Sequence, residues 1–526
     1  MAVLARRAQR QALMARQAEQ SAQAINDFLQ NDLLAQASTD SQSERVKPDP
    51  HLEVRTALDR AAARLTGKFD RQPEVEAAIR DTIGQTYIDL GLYPTARTQL
   101  ERAVQLYRQV LGAESPKTLG AMSHLASATS YSGQYAQAEV LLNQTLEMQR
   151  RVLGSEHPDT LNSMNALANA LFMLGKYPQA EAVHKQALEV RRRLLGSENR
   201  STRLSMFNLA NVYVAEGRYA EAEAIFRHVL ELNRKDLGPD HQNTMGAMHM
   251  LAIVYNAEGK YSQAEELASE NLAIRGRVLG PEHPETLMAM INLGDSLEYE
   301  GKYAQAEALY SQALELNRRV RGPQNTYTLV AMERLASVYT SRRKFGQAEA
   351  LFESLLEVSR RVLGPEHPYT LGFLSDVANM YQRRGKYALA ESYAAQALSG
   401  RRNTLGSEQP DTMSSAADLA LAYQSQQKFV QSETLAREAL QFYQKKQPDD
   451  WQRFRAESLL GASLSGQKRY AEAEPLLLEG YQGILTRKER MAVPDWYHLD
   501  RAREWIVGLY RAWGKPMKAA DWRQKH

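Results

Sequence analysis

Apolar positions along most of this chain recur at the three- and four-residue spacing of amphipathic helices. In residues 157–196 a first apolar stripe runs from Met164 to Leu171, and a second stripe begins at Tyr177. Gly175 separates the two stripes, and a glycine in the left-handed conformation commonly ends a helix. The pattern therefore predicts a helical hairpin, in which two amphipathic helices are joined by a tight turn.

The hairpin pattern repeats with a fixed period of 42 residues. One glycine and one threonine keep this spacing through eight copies without insertion or deletion: Gly112, Gly154, Gly196, Gly238, Gly280, Gly322, Gly364 and Gly406, with Thr118, Thr160, Thr202, Thr244, Thr286, Thr328, Thr370 and Thr412. A period of this length indicates a stack of identical supersecondary units. The predicted fold is all-α, a right-handed superhelical α-solenoid of antiparallel helix pairs.

A small residue occupies the predicted crossing point of the two helices in every copy. This position is Gly or Ala throughout: Gly84, Ala126, Ala168, Ala210, Ala252, Gly294, Ala336, Ala378, Ala420 and Gly461. The facing position on the second helix, that of Ala180, is Ala in nine copies and Ser432 in the other. Small side chains on both helices permit close approach, and a larger one would overpack the contact.

The period divides the chain into five segments. Residues 1–37 read as an N-terminal helix, 38–50 as a polar linker and 51–72 as a capping helix. Ten tandem repeats occupy residues 73–490, and an imperfect repeat or cap occupies 491–526. The tryptophans are predicted to form an aromatic cap at the C-terminal end, in preference to a ligand-stacking site: Trp451, Trp496, Trp505, Trp513 and Trp522.

The order Leu-Ala, Gly-Lys-Tyr, Ala-Glu and Ala-Leu within each unit resembles the tetratricopeptide repeat. The units are eight residues longer than the usual length of about 34. Together with the connector Leu-Gly-Pro-Glu-His-Pro-x-Thr-Leu, complete at 279–287 and 363–371, they resemble the longer kinesin light chain type. This resemblance covers roughly residues 73–526, and it implies a surface for binding proteins.

A narrower resemblance links three short stretches, 24–29, 54–61 and 512–516, to bacterial serine/threonine kinases with C-terminal repeats. They are similar to the region that follows the kinase domain. In those kinases a membrane span often stands between the kinase domain and this region. The sequence contains no Gly-rich phosphate loop, no His-Arg-Asp and no Asp-Phe-Gly. The resemblance therefore implies the regulatory or interaction half of such a kinase without its catalytic domain.

Composition excludes several classes of function. Lys and Arg number 65 and Asp and Glu 62, so the net charge of +3 argues against a nucleic-acid partner. Without cysteine, thiol catalysis and Cys-type zinc sites are excluded. No apolar run approaches the roughly 18 residues of a membrane span. A soluble, cytoplasmic protein without cofactor or metal is expected, or an extracytoplasmic one if it follows a span in a longer kinase.

An acid–histidine pair recurs in the connectors: Glu156-His157, Asp240-His241, Glu282-His283 and Glu366-His367. Catalysis or metal binding needs such groups to converge on one pocket, whereas these pairs stand one repeat apart. Other copies carry mostly Ser or Asn at the His position, and such side chains accept hydrogen bonds at helix starts. A helix-capping or connector role is therefore favoured over metal or general-base chemistry.

Basic pairs recur at the ends of the second helices, for example Arg150-Arg151 and Arg192-Arg193. They could bind a polyanion as a row, or they could stabilise the negative ends of the helices. Helix-end stabilisation is favoured, with acids of the next connector such as Glu198 and Asp240 expected to neutralise them.

The binding surface is predicted on the first helices, which line the concave face in tetratricopeptide stacks. Exposed groove positions vary between copies and are rich in amides, which donate to and accept from a peptide backbone. The predicted groove residues are Asn165, Asn169, Asn208, Asn211, Asn256, Asn292, Asp295, Arg334, Asn379, Gln382 and Arg383, with Phe172 and Glu298 beside them. The alternative is that these are only solvated polar positions.

Three functions follow from this surface. The favoured one is a non-enzymatic scaffold that holds a peptide or protein segment in the groove, in an oligomeric state that the sequence leaves open. The alternative is the sensor or regulatory region of a kinase signalling protein. An enzyme whose site is built across repeats is least favoured, because no residues suggest a substrate.

Overall fold

The computed structural model describes residues 23, 24, 26 and 28, 54–65 and 67–524. Within these residues the regular elements are helices, and no strand is formed, which confirms the all-α prediction. The predicted N-terminal helix 1–37 and linker 38–50 lie almost entirely outside the described residues. The chain divides into two compact units, which are described separately: unit 1 ends at Arg218 and unit 2 begins at Tyr219.

Unit 1 contains a leading helix, three complete helix pairs and the first helix of a fourth. Its helices are α1 Val54–Leu65, α2 Pro73–Asp89, α3 Tyr93–Leu111, α4 Pro116–Tyr131, α5 Tyr135–Val152, α6 Pro158–Met173, α7 Tyr177–Leu195 and α8 Arg200–Ala215. Helix α1 contributes Leu58, Ala61 and Leu65 to a core shared with Val75 and Ile79 of α2. It thus lies where the predicted capping helix was expected.

Unit 2 begins with a second helix and continues with seven helix pairs. Its helices are α9 Tyr219–Leu237, α10 Gln242–Ala257, α11 Tyr261–Val278, α12 Pro284–Tyr299, α13 Tyr303–Arg321, α14 Thr326–Ser341, α15 Phe345–Val362, α16 Pro368–Arg384, α17 Tyr387–Thr404, α18 Pro410–Ser425, α19 Phe429–Lys446, α20 Trp451–Gly466, α21 Tyr470–Thr486, α22 Tyr497–Ala512 and α23 Pro516–Gln524. Two short 3₁₀ helices, Lys488–Arg490 and Val493–Trp496, connect α21 to α22.

The small crossing residues pack as predicted. Ala168 and Ala180 are fully buried where α6 meets α7. At the equivalent position in unit 2, a Cβ atom on Gly294 would overlap the ring of Tyr310. The two helices of each pair therefore approach closely because no side chain separates them.

The repeating threonine closes the connector between repeats. Thr160 donates its hydroxyl hydrogen to the carbonyl oxygen of Gly154, six residues earlier, at 2.8 Å. The same bond forms from Thr118, Thr244, Thr286, Thr328 and Thr412, each to the glycine six residues before it. In six of the eight copies the glycine and the threonine are thus the two ends of one hydrogen bond, which explains why they keep the same period.

The connector histidines cap helices, which confirms the favoured role. His157 Nδ1 accepts from the backbone N–H of Asp159 at 3.2 Å, and Asn199 accepts from Ser201 at 2.9 Å. His241, His283, Asn325 and His367 make the same bond. Such a bond satisfies one of the free N–H groups of the first helical turn.

The basic residues at the ends of second helices are neutralised, but the predicted partner is wrong. Arg277 pairs with Asp240 at 2.9 Å, and Arg193 pairs with Glu156. In each pair the acid belongs to the connector before the repeat, 37 residues earlier, and not to the next connector. The reason is geometric: a hairpin returns the end of its second helix to the start of its first.

Aromatic residues pack around the last helix pair, as the sequence predicted for a cap. Trp513 stacks on Tyr470 with ring centroids 5.9 Å apart, and Trp522 meets Tyr481 edge-on at 5.0 Å. The five tryptophans are partly buried against one core that extends from α16 to α23.

Candidate functional site

The first helices of successive repeats contact one another directly within each unit. We call the surface they form in unit 2 (α10, α12, α14, α16, α18) the inner face of unit 2, and the corresponding surface of α2, α4, α6 and α8 the inner face of unit 1. Side chains link neighbouring first helices: Ser123 and Ser163 share a hydrogen bond of 2.9 Å, and His124 Nδ1 lies 2.9 Å from the carboxylate of Asp81. Polar side chains on this face therefore also hold the stack together.

In unit 1 the predicted groove residue Asn165 is not exposed. Its exposed fraction is 7%, and with its amide oxygen facing α7 it accepts hydrogen bonds from the Arg191 guanidinium. Arg191 also donates to Asn162 at 2.8 Å and to Ser205 at 2.7 Å. The sequence prediction was wrong at this position. The long side chain of Arg191, from the second helix, lies between two first helices and donates to the amide oxygen of Asn165, which is then not available to a partner.

The other groove residues predicted in unit 1 remain closer to solvent. Asn169 is exposed, and Asn208, Asn211 and Phe172 are partly buried. The amide oxygen of Asn211 is buried and lacks a hydrogen-bond partner within the described residues. These amides are available to a binding partner in a way that Asn165 is not.

In unit 2, three predicted amides take part in bonds between first helices. Asn256 donates to Ser296 at 3.0 Å, and Asn292 lies 2.6 Å from the Nδ1 atom of His249. Gln382 donates to Ser425 at 2.8 Å and is only 7% exposed, which corrects its prediction as an exposed position. The 42-residue repeat places side chains of successive first helices next to one another, so their polar groups form hydrogen bonds with each other.

The remaining predicted residues of unit 2 surround a buried charged cluster. Asp295 of α12 accepts from the Tyr310 hydroxyl at 2.6 Å and pairs with Arg334 of α14 at 3.2 Å. Glu298, 4% exposed, accepts from the hydroxyl of Ser337 at 3.1 Å. Asp295 and Glu298 of one repeat thus lie beside Arg334 of the next.

Carboxylates outnumber cations in this cluster, and burial raises the pKa values of its acids. Burial raises the pKa of Glu298 to about 7, and the nearby Asp295 adds to the rise. Burial likewise raises the pKa of Glu333 to about 8 and that of Asp376 to about 6, although Arg334 opposes both shifts. Removing carboxylates from water favours their neutral form unless each has its own cation.

Next to this cluster lies a cavity of about 170 Å³. Glu298, Arg334, Asp376, Asn379 and Arg383 line it from the inner face. Ala492, Pro494 and Asp495 line it from the opposite side. We call residues 488–496, which include both 3₁₀ helices, the strap. Four predicted groove residues (Asp295, Arg334, Asn379, Arg383) therefore lie in or beside one pocket, which the strap covers.

Sequence reasoning missed the strap. It placed a repeat boundary at residues 490–491 and assigned Trp496 to the cap, whereas Val493–Trp496 forms a 3₁₀ helix against α12. The available signal was a break in the pattern: the stretch between α21 and α22 contains Val-Pro-Asp-Trp and lacks the Gly-to-Thr connector. Spacing can reveal that such a segment departs from the repeat, but not where it lies.

The fold and this polar inner face define a helical-repeat interaction scaffold. The family model for the tetratricopeptide repeat matches residues 75–151, 118–193, 201–275, 245–319, 288–358 and 370–445. These matches cover more than half of the chain, and the chain belongs to the tetratricopeptide repeat family. Proteins of this family are generally non-enzymatic scaffolds.

Several solved structures are similar to this chain. A kinesin light chain-type protein of Podospora anserina with nearly identical repeats shares 30% identity, covering 39% of this chain and 96% of its own, with a TM-score of 0.36. BtubC from P. vanneervenii shares 20% identity over 43% and 91%, with a TM-score of 0.38. A Rap protein complexed with Competence and Sporulation Factor shares 12% over 71% and 99%, with a TM-score of 0.49.

A search of curated proteins finds no significant match. Among the described helices, none is long and apolar enough to cross a membrane. Within residues 54–65 and 67–524, no group of three His, Asp or Glu side chains is arranged to hold a metal ion.

Proposed function

We propose that this protein is a non-enzymatic scaffold that binds a peptide or protein segment along the inner faces of its two units. The observation that supports this proposal is the convergence of predicted groove residues from α12, α14 and α16 on one cavity of unit 2. Arg383 and Asn379 line that cavity, and Asn169 and Asn211 lie on the first helices of unit 1. Amides and guanidinium groups recognise the carbonyl and N–H groups of an extended segment without requiring one particular side chain.

The chemistry of the buried carboxylates does not require an enzymatic role. Glu298 is held by Ser337 and Tyr310, and Asp295 by Tyr310 and Arg334. A raised carboxyl pKa is a feature of active sites, but it also arises in buried structural networks. We infer that this cluster shapes one wall of the binding surface.

The proposal is tested with peptides selected from a random library on the purified chain. The double variant Asn169→Ala/Asn379→Ala removes one exposed amide from each inner face. We expect its affinity for selected peptides to fall about tenfold, as for loss of one or two interfacial hydrogen bonds. The matched control, Asn143→Ala/Asn403→Ala, removes one exposed amide from a second helix in each unit and should leave affinity unchanged.

Thermal unfolding of both double variants should match the original chain, because exposed asparagines contribute little to folding. If the control weakens peptide binding as much as the inner-face variant, the binding surface is not on the first helices and the proposal is wrong.

The kinase-associated alternative remains a prediction. Of the stretches that carry the resemblance, residues 54–61 form most of α1 and 512–516 form the turn between α22 and α23. Both are structural positions at the ends of the repeat stack. A kinase catalytic domain encoded immediately upstream would support this alternative, and unrelated sequence behind a stop codon would oppose it.

A further inference from the structure

The strap lies on the inner face of unit 2 as a short bound segment. The hydroxyl of Tyr261 donates to the Arg490 carbonyl oxygen at 3.2 Å, at the start of α11. The guanidinium of Arg383 donates to the Pro494 carbonyl oxygen at 2.5 Å, at the end of α16. Two main-chain carbonyls of the strap, separated by three residues, are thus held by side chains from repeats more than 100 positions apart.

The strap fits the face closely along its length. A Cβ atom on Gly259 would overlap Cα of Arg490, and one on Gly301 would lie 3.2 Å from Val493 Cγ1. The aromatic ring of Tyr497, which follows the strap, lies 5.3 Å from the Arg383 guanidinium. The approach of the strap to Gly259 is therefore a backbone-to-backbone contact.

The close contact with the strap requires a glycine at position 259, in addition to the positive φ of the turn. Gly259 has φ +76°, but Arg343, Gln427 and Lys468 hold the corresponding turns of other repeats at φ +57°, +61° and +64°. Those turns tolerate a side chain. At Gly259 a side chain would push the strap away, whereas at Gly385, φ +83°, a Cβ atom would meet nothing within 4 Å.

Polar groups of the strap and of the face meet in the cavity, where Asp495 and Arg383 both line the wall. Burial raises the pKa of Asp495, and the positive charges of Arg383 and Arg455 oppose that rise. Within the strap, the Trp496 indole N–H donates to the Lys488 carbonyl oxygen at 3.3 Å, and the Lys488 ammonium lies 4.1 Å above the Trp496 ring. These internal contacts pre-shape the segment, which lowers the entropy cost of holding it on the face.

We propose that the strap is an internal ligand of the inner face of unit 2, and that a partner segment with the same Pro-Asp-aromatic chemistry binds there by displacing it. This inference rests on the proposed function, since it names the ligand chemistry and the regulation of the same surface. A covalently connected segment competes at an effective concentration of about millimolar, so weak partners are excluded while the strap is in place.

The test uses a fluorescein-labelled peptide of residues 488–497, followed by fluorescence anisotropy. The full chain with residues 492–495 replaced by Gly-Ser-Gly-Ser loses the side chains of Val493, Pro494 and Asp495 and gains a flexible backbone there, but it keeps Met491, which is 2% exposed in the core. We expect this variant to bind the peptide at least about tenfold more tightly than the original chain. A scrambled peptide of the same composition should bind neither.

A second pair of variants tests the position of the peptide on the face. In the Gly-Ser variant, Gly259→Gln should weaken peptide binding, because its side chain would overlap Arg490 of the peptide as it would overlap Arg490 of the strap, whereas the matched control Gly385→Gln should not. Adding Arg383→Ala to the Gly-Ser variant should weaken binding about tenfold or more, because it removes a charge-assisted hydrogen bond to a carbonyl. Circular dichroism verifies that each variant is folded.

Equal peptide affinity for the original chain and the Gly-Ser variant would overturn the inference, as would absence of binding to every folded variant. Either result leaves the proposed function standing if library-selected peptides still depend on Asn169 and Asn379. The two proposals therefore fail in different experiments.

Discussion

The inner faces of the two units are built from the same repeat but present different surfaces. In unit 1 a Cβ atom added to either turn glycine, Gly133 or Gly175, would meet no atom within 4 Å, and Asn169 is exposed. In unit 2 the equivalent Gly259 and Gly301 face the strap. The repeat therefore specifies a surface, whereas a segment outside the period determines whether that surface is covered.

The largest expected effect tests whether the units fold as separate bodies. Ala168→Leu in unit 1 and Ala336→Leu in unit 2 each overpack a fully buried helix crossing. Each should cost about 1–3 kcal/mol of unfolding free energy. Urea unfolding is followed by circular dichroism for the whole chain and by tryptophan fluorescence for unit 2, because all five tryptophans lie from residue 451 onwards.

If the units are independent, Ala168→Leu should shift only the circular dichroism transition and leave the fluorescence midpoint in place. A shift of the fluorescence midpoint by Ala168→Leu would show that the two units unfold together. The two units would then differ in their inner faces but not in their unfolding.

The second effect concerns the buried acids, which belong to unit 2. In the folded chain the pKa values of Glu298 and Glu333 are about 7 and about 8, against 4.5 for an ordinary glutamate. The native state therefore holds more protons than the unfolded state, and stability falls as pH rises from about 4.5 to about 8. The fluorescence-monitored unfolding free energy should decline by at least about 2 kcal/mol over this range, since the raised pKa of Glu298 alone corresponds to more than that.

Glu298→Gln/Glu333→Gln should flatten that decline, because neither amide titrates. Glu270→Gln, an exposed partner of Arg234, is the control and should preserve the pH dependence. The same slope in all three chains would mean that the buried cluster does not govern the pH response of unit 2.

A smaller effect distinguishes structural amides from available amides within unit 1. Asn165→Ala leaves the buried Arg191 short of an acceptor and should cost about 1–2 kcal/mol. Asn169→Ala should change stability by less than about 0.5 kcal/mol. Unfolding followed by circular dichroism measures both, and a neutral Asn165→Ala would restore that residue to the binding surface.

The smallest effect should be the same in both units. Lys176 pairs with Glu139 at 2.7 Å in unit 1, and Lys344 pairs with Glu307 at 2.8 Å in unit 2. Lys176→Ala and Lys344→Ala should each cost about 0.2–1 kcal/mol, because exposed ion pairs are weak. The loss should become smaller in about 1 M salt, where the screening length of about 3 Å is close to the separation of the paired atoms. A salt-independent loss would indicate packing of the lysine stem instead.

Much of the fold could be predicted because its interactions are local and repeated. The helix pairs, the small crossing residues and the capping role of His157 all depend on neighbours at fixed separation. The partner of Arg193 was predicted wrongly, because the choice between two nearby connectors depends on how the hairpin closes. The predicted groove residues differ in where they lie. Four of them cluster beside one cavity: Asp295, Arg334, Asn379 and Arg383. Asn165 and Gln382 are buried, and they form hydrogen bonds between helices.

The sequence by itself determined the repeat, the helix pairs and the connectors, since each is a short-range pattern copied every 42 residues. Only the tertiary structure decided that Arg191 passes between two first helices and that the strap lies on the inner face of unit 2. The contact of Tyr261 with Arg490 joins residues 229 positions apart. No periodic pattern encodes such a contact, because it depends on the accumulated path of the repeats that separate the two residues.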